Sequence, residues 1–142
     1  MKIVIGSDHA GFELKEHIKN SFNSKVIFKD VGTNSIESVD YPDYAHLATK
    51  EFTDNKYNYI ILICGSGNGI QMSANKHQNI RCALCWNSEI AELARSHNDA
   101  NAIALPARYL TEKEAIQIIT TFMETNFEGG RHERRKDKIS CA

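Results

Sequence analysis

Residues Tyr59–Cys64 read Y-I-I-L-I-C, and the next five read G-S-G-N-G. An apolar run without polar alternation is how a strand reads when both faces of its sheet are covered, and such strands belong to parallel sheets. Three glycines in five positions put closely approachable backbone at the end of that strand. The rest of the chain is consistent with this start. Residues 2–6 (K-I-V-I-G) and 25–31 (K-V-I-F-K-D-V) read as two earlier strands, and 81–86 and 101–105 as two later ones.

Helical patterns fill the intervals. Leu14, Ile18 and Phe22 share a face within 10–22, at the i, i+4, i+8 spacing of an amphipathic helix. Asp40-Tyr41-Pro42 opens the next helix, with proline suited to its first turn, and Ala45, Ala48 and Phe52 lie on its inner face. A short helix spans about 70–76. Asn87 caps another that runs to about Ser96. Thr111 and Glu114 form a capping box ahead of a helix to about Glu124. Five strands alternating with five helices predict a single α/β domain, a three-layer α/β/α sandwich around a five-stranded parallel sheet. A chain of 142 residues with 42% hydrophobic content is long enough to build one such core.

In sheets of this kind the ligand sits beyond the carboxyl ends of the strands. That rule selects Ser7-Asp8-His9, residues 39–42, residues 64–69 and residues 106–108. His97 and Asn98 end the helix before the fifth strand, and the sequence leaves open whether they reach the same edge.

The glycine loop does not fit a nucleotide motif. Gly65, Gly67 and Gly69 give G-x-G-x-G after the third strand, whereas the dinucleotide fingerprint is G-x-G-x-x-G after the first, and the P-loop G-K-[S/T] is missing. What remains is an amide-lined hollow at a helix start, which favours negative charge, either a bound phosphate or an oxyanion formed during reaction. Cys64 stands at the mouth of this hollow. A thiol in such a place is stabilised as thiolate and can serve as nucleophile or base; the alternative is a buried core cysteine.

Cys82 and Cys85 read as core residues. They are spaced C-x-x-C, but three positions apart on a strand point to opposite faces, so a shared metal or a redox pair is not expected. The six histidines are scattered along the sequence, and no metal-ligand cluster is expected. A net charge of −1 argues against nucleic acid as a partner. No apolar run approaches the roughly 18 residues of a membrane span, and the first residues lack the pattern of a secretion signal. A cytoplasmic protein is expected.

The last segment, G-G-R-H-E-R-R-K-D-K from Gly129, is strongly basic. It reads either as a solvated, frayed tail or as a helix on which Arg131 and Arg135, four apart, share a face. Paired guanidinium groups make a good phosphate clamp, and the double glycine permits a sharp change of direction.

Five stretches taken together resemble the type B ribose-5-phosphate isomerases, in the family that includes galactose-6-phosphate isomerase subunits. They are G-S-D-H-A-G-F from Gly6, D-Y-P from Asp40, I-C-G-S-G-N-G-I from Ile63 with A-N-K from Ala74, R-S-H-N-D-A-N from Arg95, and E-G-G-R-H from Glu128. The resemblance covers almost the whole chain and implies a Rossmann-like sheet and the interconversion of ribose 5-phosphate and ribulose 5-phosphate, a step of the non-oxidative pentose phosphate pathway, without cofactor or metal.

Carried over to these positions, the resemblance makes Cys64 the base that moves a proton between C2 and C1, and Gly65, Ser66, Gly67, Asn68 and Gly69 the anion hollow. Asp8, His9, Tyr41 and Asn98 would bind the sugar. His97 would open the furanose ring, with His9 as its rival. Arg108, Arg131 and Arg135 would hold phosphate, with His132 beside them. The resemblance further implies a homodimer or dimer of dimers, in which residues 129–142 reach a site shared with a neighbouring subunit. Ser66 stands where many relatives have threonine and keeps the hydroxyl. Ile70 stands where another branch of the family carries a glutamate base, which favours Cys64 in that role. The rivals are an isomerase of a six-carbon phosphosugar (allose or galactose 6-phosphate), a non-catalytic phosphosugar sensor, and a flavodoxin-like nucleotide binder.

Overall fold

The computed structural model describes residues 1–141. Five strands, β1 (Lys2–Ser7), β2 (Ile27–Asp30), β3 (Tyr59–Cys64), β4 (Cys82–Leu84) and β5 (Ala102–Pro106), form one sheet in the order β2-β1-β3-β5-β4, parallel throughout. Six helices accompany them: α1 (Phe12–Ser21), α2 (Tyr41–Asp54), α3 (Asn68–Ala74), α4 (Ser88–Asn98), α5 (Glu112–Glu124) and α6 (Arg131–Lys136). The expected three-layer sandwich is what forms.

The period-two alternation of the strands divides the core. Ile3, Ile5, Ile61, Ile63, Ile103 and Leu105 face α1, α4 and α5, while Val4, Ile60, Leu62, Ala102 and Ala104 face α2 and α3. Each fully buried isoleucine contributes about 1.5–3 kcal/mol of transfer free energy. Ala102 and Ala104 are small where the seven-residue α3 lies across β5. Cys82 joins the second cluster and Cys85 the first, so the C-x-x-C pair does straddle the sheet. Burial pushes the Cys85 thiol up to about 12. Burial, and then Cys85, push Cys82 up further still.

The caps follow the local chemistry. The Asn87 side chain accepts from the Ile90 amide, and Thr111 and Glu114 complete both bonds of their capping box. Pro42 sits in the first turn of α2. Several element ends differ from expectation. Residues 9–11 form a 3-10 turn capped by Asp8, so α1 begins at Phe12. The loop after β3 tightens into helix by Asn68, two residues early. Strand β4 pairs only over Cys82–Leu84 because it lies at the sheet edge, against β5 alone.

Two features of this topology place the site. The crossover after β1 runs to β2 on one side and the crossover after β3 runs towards β4 on the other, which opens a crevice between the carboxyl ends of β1 and β3. Below it, the Lys15 ammonium is fully buried and pairs with Asp30 at 2.5 Å. Burial raises the Asp30 carboxyl, but bonds from Lys15, Lys19 and the Gly32 amide outweigh that and hold it below the usual range. The Gly32 carbonyl accepts from the Ser7 amide at 2.7 Å, which fixes the end of β1 directly before Asp8.

Candidate active site

The crevice is a cavity of about 360 Å³ lined by Asp8, His9, Ala10, Tyr41, Cys64, Gly65, Ser66, Gly69, Arg108 and Tyr109. All four stretches selected from the sequence contribute to it. Asp8 accepts from the Gly11 amide through Oδ1 (3.1 Å), and its own amide donates to the Ile63 carbonyl (3.2 Å), so its carboxylate is anchored across β1 and β3. The His9 Nδ1 lies 3.2 Å from the amide and the carbonyl of Val39. That contact leaves Nε2 as the nitrogen to act in the cavity.

Cys64 is the last residue of β3, and its side chain is 4% exposed. The Gly67 amide donates to its sulfur at 3.2 Å, a contact that strengthens when the sulfur carries charge. Gly67 can turn its amide inward because it adopts φ 77°, and a Cβ there would strike Leu84 and the Leu105 carbonyl carbon. The Arg108 amide donates to the Gly65 carbonyl at 3.0 Å. Its guanidinium then folds over Gly65, with Nη1 2.8 Å from where a Cβ would stand. The Tyr41 ring lies directly against Gly69.

The hollow is narrower than expected. Gly65, Ser66 and Gly69 face the cavity, but Gly67 and Asn68 do not line it. The Gly67 amide is directed at Cys64, and the Asn68 amide donates to the Ser66 hydroxyl at 3.3 Å. Both are engaged within the loop.

His97, Asn98, Arg131, His132 and Arg135 are not in this cavity. The strand register explains why. Cys64 pairs with Pro106 at one end of β5, and Ile60 with Ala102 at the other. Helix α4 runs back towards the Ala102 end before β5 begins, so His97 and Asn98 lie at the amino edge of the sheet. Four residues of parallel strand, about 13 Å, separate that edge from Cys64. The two sets are not brought together within one chain.

The second set has an order of its own. Gly129 and Gly130 adopt φ 69° and 56°, so the expected sharp turn is real and the basic tail is a helix, not frayed. Helix α6 folds back on α4. His132 is buried, with its ring stacked on His97 at 4.1 Å between centroids and 13° between planes. Burial, then His97 and Arg131, pull the His132 imidazole below its ordinary range, and Arg135 adds to this against the pull of Glu128. Arg131 and Arg135 stay exposed. The histidines scattered in sequence are therefore not scattered in space: His97 meets His132, and the His46 and His77 ring nitrogens approach to 2.8 Å.

Two residues received no role from the sequence. Tyr109 follows Arg108 in a 3-10 turn and lines the cavity; extending the stretch after β5 by one residue would have included it. Glu128 lies beside His132, with carboxylate and Nε2 3.5 Å apart. A larger cleft of about 550 Å³ runs between the C-terminal segment at Ile139–Cys141 and residues around Cys82. The one thiol on its wall from a strand, Cys82, is held protonated by burial.

With a carboxylate, an imidazole, a sulfur and a guanidinium converging on one crevice, the arrangement suits proton transfer on a small anionic substrate. Known proteins agree with this. A ribose 5-phosphate isomerase from Thermotoga maritima superposes with a TM-score of 0.96 at 48% identity, over 99% of this chain and 98% of that one. The enzyme from Mycoplasma genitalium, solved with bound ribulose 5-phosphate, gives a TM-score of 0.92 at 41% identity, over 97% and 93%. Ribose-5-phosphate isomerase B of Escherichia coli is 38% identical over 141 residues, covering 99% of this chain and 95% of that protein. The sequence profile of the Ribose/Galactose Isomerase family matches residues 3–139, and the chain belongs to that family.

Proposed function

We propose that this protein interconverts ribose 5-phosphate and ribulose 5-phosphate. The observation that carries the reading is Cys64 at the crevice between β1 and β3, with a backbone amide on its sulfur and Asp8, His9 and Arg108 around it. The Cys64 thiolate takes the proton from C2 of the open-chain aldose. The C2–H electron pair becomes the C1–C2 double bond, and the carbonyl oxygen on C1 becomes the enediolate oxygen. Gly65, Ser66 and Gly69 line the cavity where that charge forms, and we assign their amides as its fixed donors. The same thiol returns the proton to C1 while the hydroxyl proton on C2 passes to the C1 oxygen, leaving the ketose. Asp8 and Tyr41 hold hydroxyls, and Arg108 meets the phosphate.

Ring opening and the remaining phosphate contacts fall to His97, Asn98, Arg131, His132 and Arg135 of a second copy. Their distance from Cys64 within one chain and the exposure of Asn98, Arg131 and Arg135 support a homodimer, or a dimer of such dimers, with shared sites. A second reading of ring opening rests on His9, which lines the same cavity as Cys64. We place the enzyme in the cytoplasm; among the described residues no helix is long and apolar enough to cross a membrane.

The test is turnover of ribose 5-phosphate by purified, chelator-treated protein, followed as ketose formation. Sustained turnover is expected. Protein that is folded and dimeric but inert towards ribose 5-phosphate sinks the reading.

A further inference from the structure

His97, Glu128 and His132 offer two imidazoles and a carboxylate whose ligand atoms all lie within 4.8 Å of one another. Each is held by a different local device. His97 ends α4. The Glu128 amide donates to the Ser96 carbonyl at 3.0 Å, which ties this otherwise exposed residue to the same helix end. His132 is buried in the first turn of α6, its amide donating to the Gly129 carbonyl at 3.1 Å.

We propose that these three residues form a site for a divalent transition metal, zinc above others, and that occupancy switches the enzyme off. Two imidazoles and one glutamate are a sufficient protein ligand set for zinc, with a fourth position open. Zinc–ligand bonds of about 2.0–2.2 Å put neighbouring ligand atoms of a tetrahedron roughly 3.4 Å apart. The Glu128 carboxylate and His132 Nε2 are already 3.5 Å apart. The remaining adjustment is a turn of the half-buried His97 ring out of its stack on His132, so that its lone pair converges on the metal.

The choice of metal follows from the surroundings. Arg131 and Arg135 flank His132, and one carboxylate does not offset them for a hard cation such as magnesium or calcium, which binds through charge and oxygen. Zinc feels the same repulsion, but its two imidazole bonds supply an affinity that a hard cation does not gain from nitrogen. The inhibitory part rests on the reading that His97 acts on the sugar: a metal on its ring nitrogen removes the lone pair that ring opening needs, and occupies the face that the neighbour's substrate would meet.

The experiment titrates zinc, and separately cobalt, into the chelator-stripped full chain by calorimetry and visible absorption, alongside turnover. One zinc per chain is expected, with a tetrahedral cobalt spectrum. Glu128→Gln and His132→Gln should each weaken zinc binding by at least the roughly 10- to 100-fold that loss of a mere outer-shell partner costs. His46→Gln, at the exposed His46–His77 pair, should leave it unchanged. Zinc should slow turnover in the parent protein and much less in Glu128→Gln. Equal zinc affinity in parent, Glu128→Gln and His132→Gln overturns the site, as does loss of binding only in His46→Gln. If binding carries the expected signature but zinc leaves turnover untouched, the metal site stands and the role of His97 in the reaction is what fails.

Discussion

The two edges of the sheet are built on different plans. At the carboxyl edge, Asp8, Tyr41, Cys64 and Arg108 come from four separate connections and converge on one cavity. Three of the four are held by backbone bonds: the Asp8 carboxylate by the Gly11 amide, the Cys64 sulfur by the Gly67 amide, and the Arg108 amide by the Gly65 carbonyl. At the amino edge, His97 comes from α4, and Arg131, His132 and Arg135 from α6, which a positive-φ glycine pair turns back onto α4; both arginines are exposed. One edge is a finished pocket without enough cation for a phosphate dianion. The other is a cationic face that offers Arg131 and Arg135 to solvent. On the proposed reading, each edge holds part of a site that only a second copy of the chain completes.

Substitutions sort by which edge they strike. The largest effect belongs to Cys64→Ala, which should lower the isomerisation rate by about 10²- to 10⁴-fold, the usual worth of a positioned base, while sugar-phosphate affinity survives in calorimetry. Near-normal turnover would remove Cys64 from the mechanism. At the other edge, Arg131→Ala or Arg135→Ala should raise KM for ribose 5-phosphate about 10- to 100-fold, since each charge-assisted bond to phosphate contributes roughly 1.5–3 kcal/mol. Lysine at either position should restore only part of this, because one ammonium lacks the bidentate fork.

A mixing experiment joins the two edges. Cys64→Ala protein and the Arg131→Ala/Arg135→Ala double variant should each be nearly inactive alone. After subunit exchange at equal amounts, half of the dimers are mixed, and an isologous mixed dimer rebuilds one of its two sites. Activity should therefore return to about a quarter of the parent level. Exchange verified by mass without any return of activity would assign the arginines to their own chain. The smallest effect is chemical. Cys141 is exposed and Cys64 lines the cavity, whereas burial raises Cys82 and Cys85. Alkylation at neutral pH should label Cys141 and Cys64 alone. In Cys141→Ser, one label per chain should track inactivation and substrate should slow it. Labelling of Cys82 or Cys85 at comparable rate, detected by peptide mass, would contradict the packing.

The fold was largely legible because its signals are local. Apolar runs gave the strands, and Asn87 and the Thr111–Glu114 box marked helix starts. The carboxyl-edge residues were legible for a related reason: each directly follows a strand or opens a helix, so sequence position fixes which edge it occupies. His97 lacked that property. It precedes a strand, and only the register of β5 against β3 puts it at the opposite edge. The fates of Gly67 and Asn68 depended on which way single amides turn in a tight loop, which composition does not encode. The meeting of His97, Glu128 and His132 depends on α6 folding back along α4, a contact between segments about thirty residues apart. Strand order was equally hidden, because hydrophobic periodicity reports which residues are buried and not who their neighbours are.

That order has a consequence for the life of the chain before it is an enzyme. Strands β2, β1 and β3 can pair as soon as residue 64 is available, but the free side of β3 is claimed by β5, not by the next strand made. Some forty residues must emerge before that edge is covered. During synthesis, the row of unpaired amides and carbonyls beside Y-I-I-L-I-C is open to any other extended chain. Strand β4 also waits, since its one partner is made after it. Arrested nascent chains ending between α3 and β5 should be the aggregation-prone ones, and those long enough to expose Pro106 outside the ribosome should be protected.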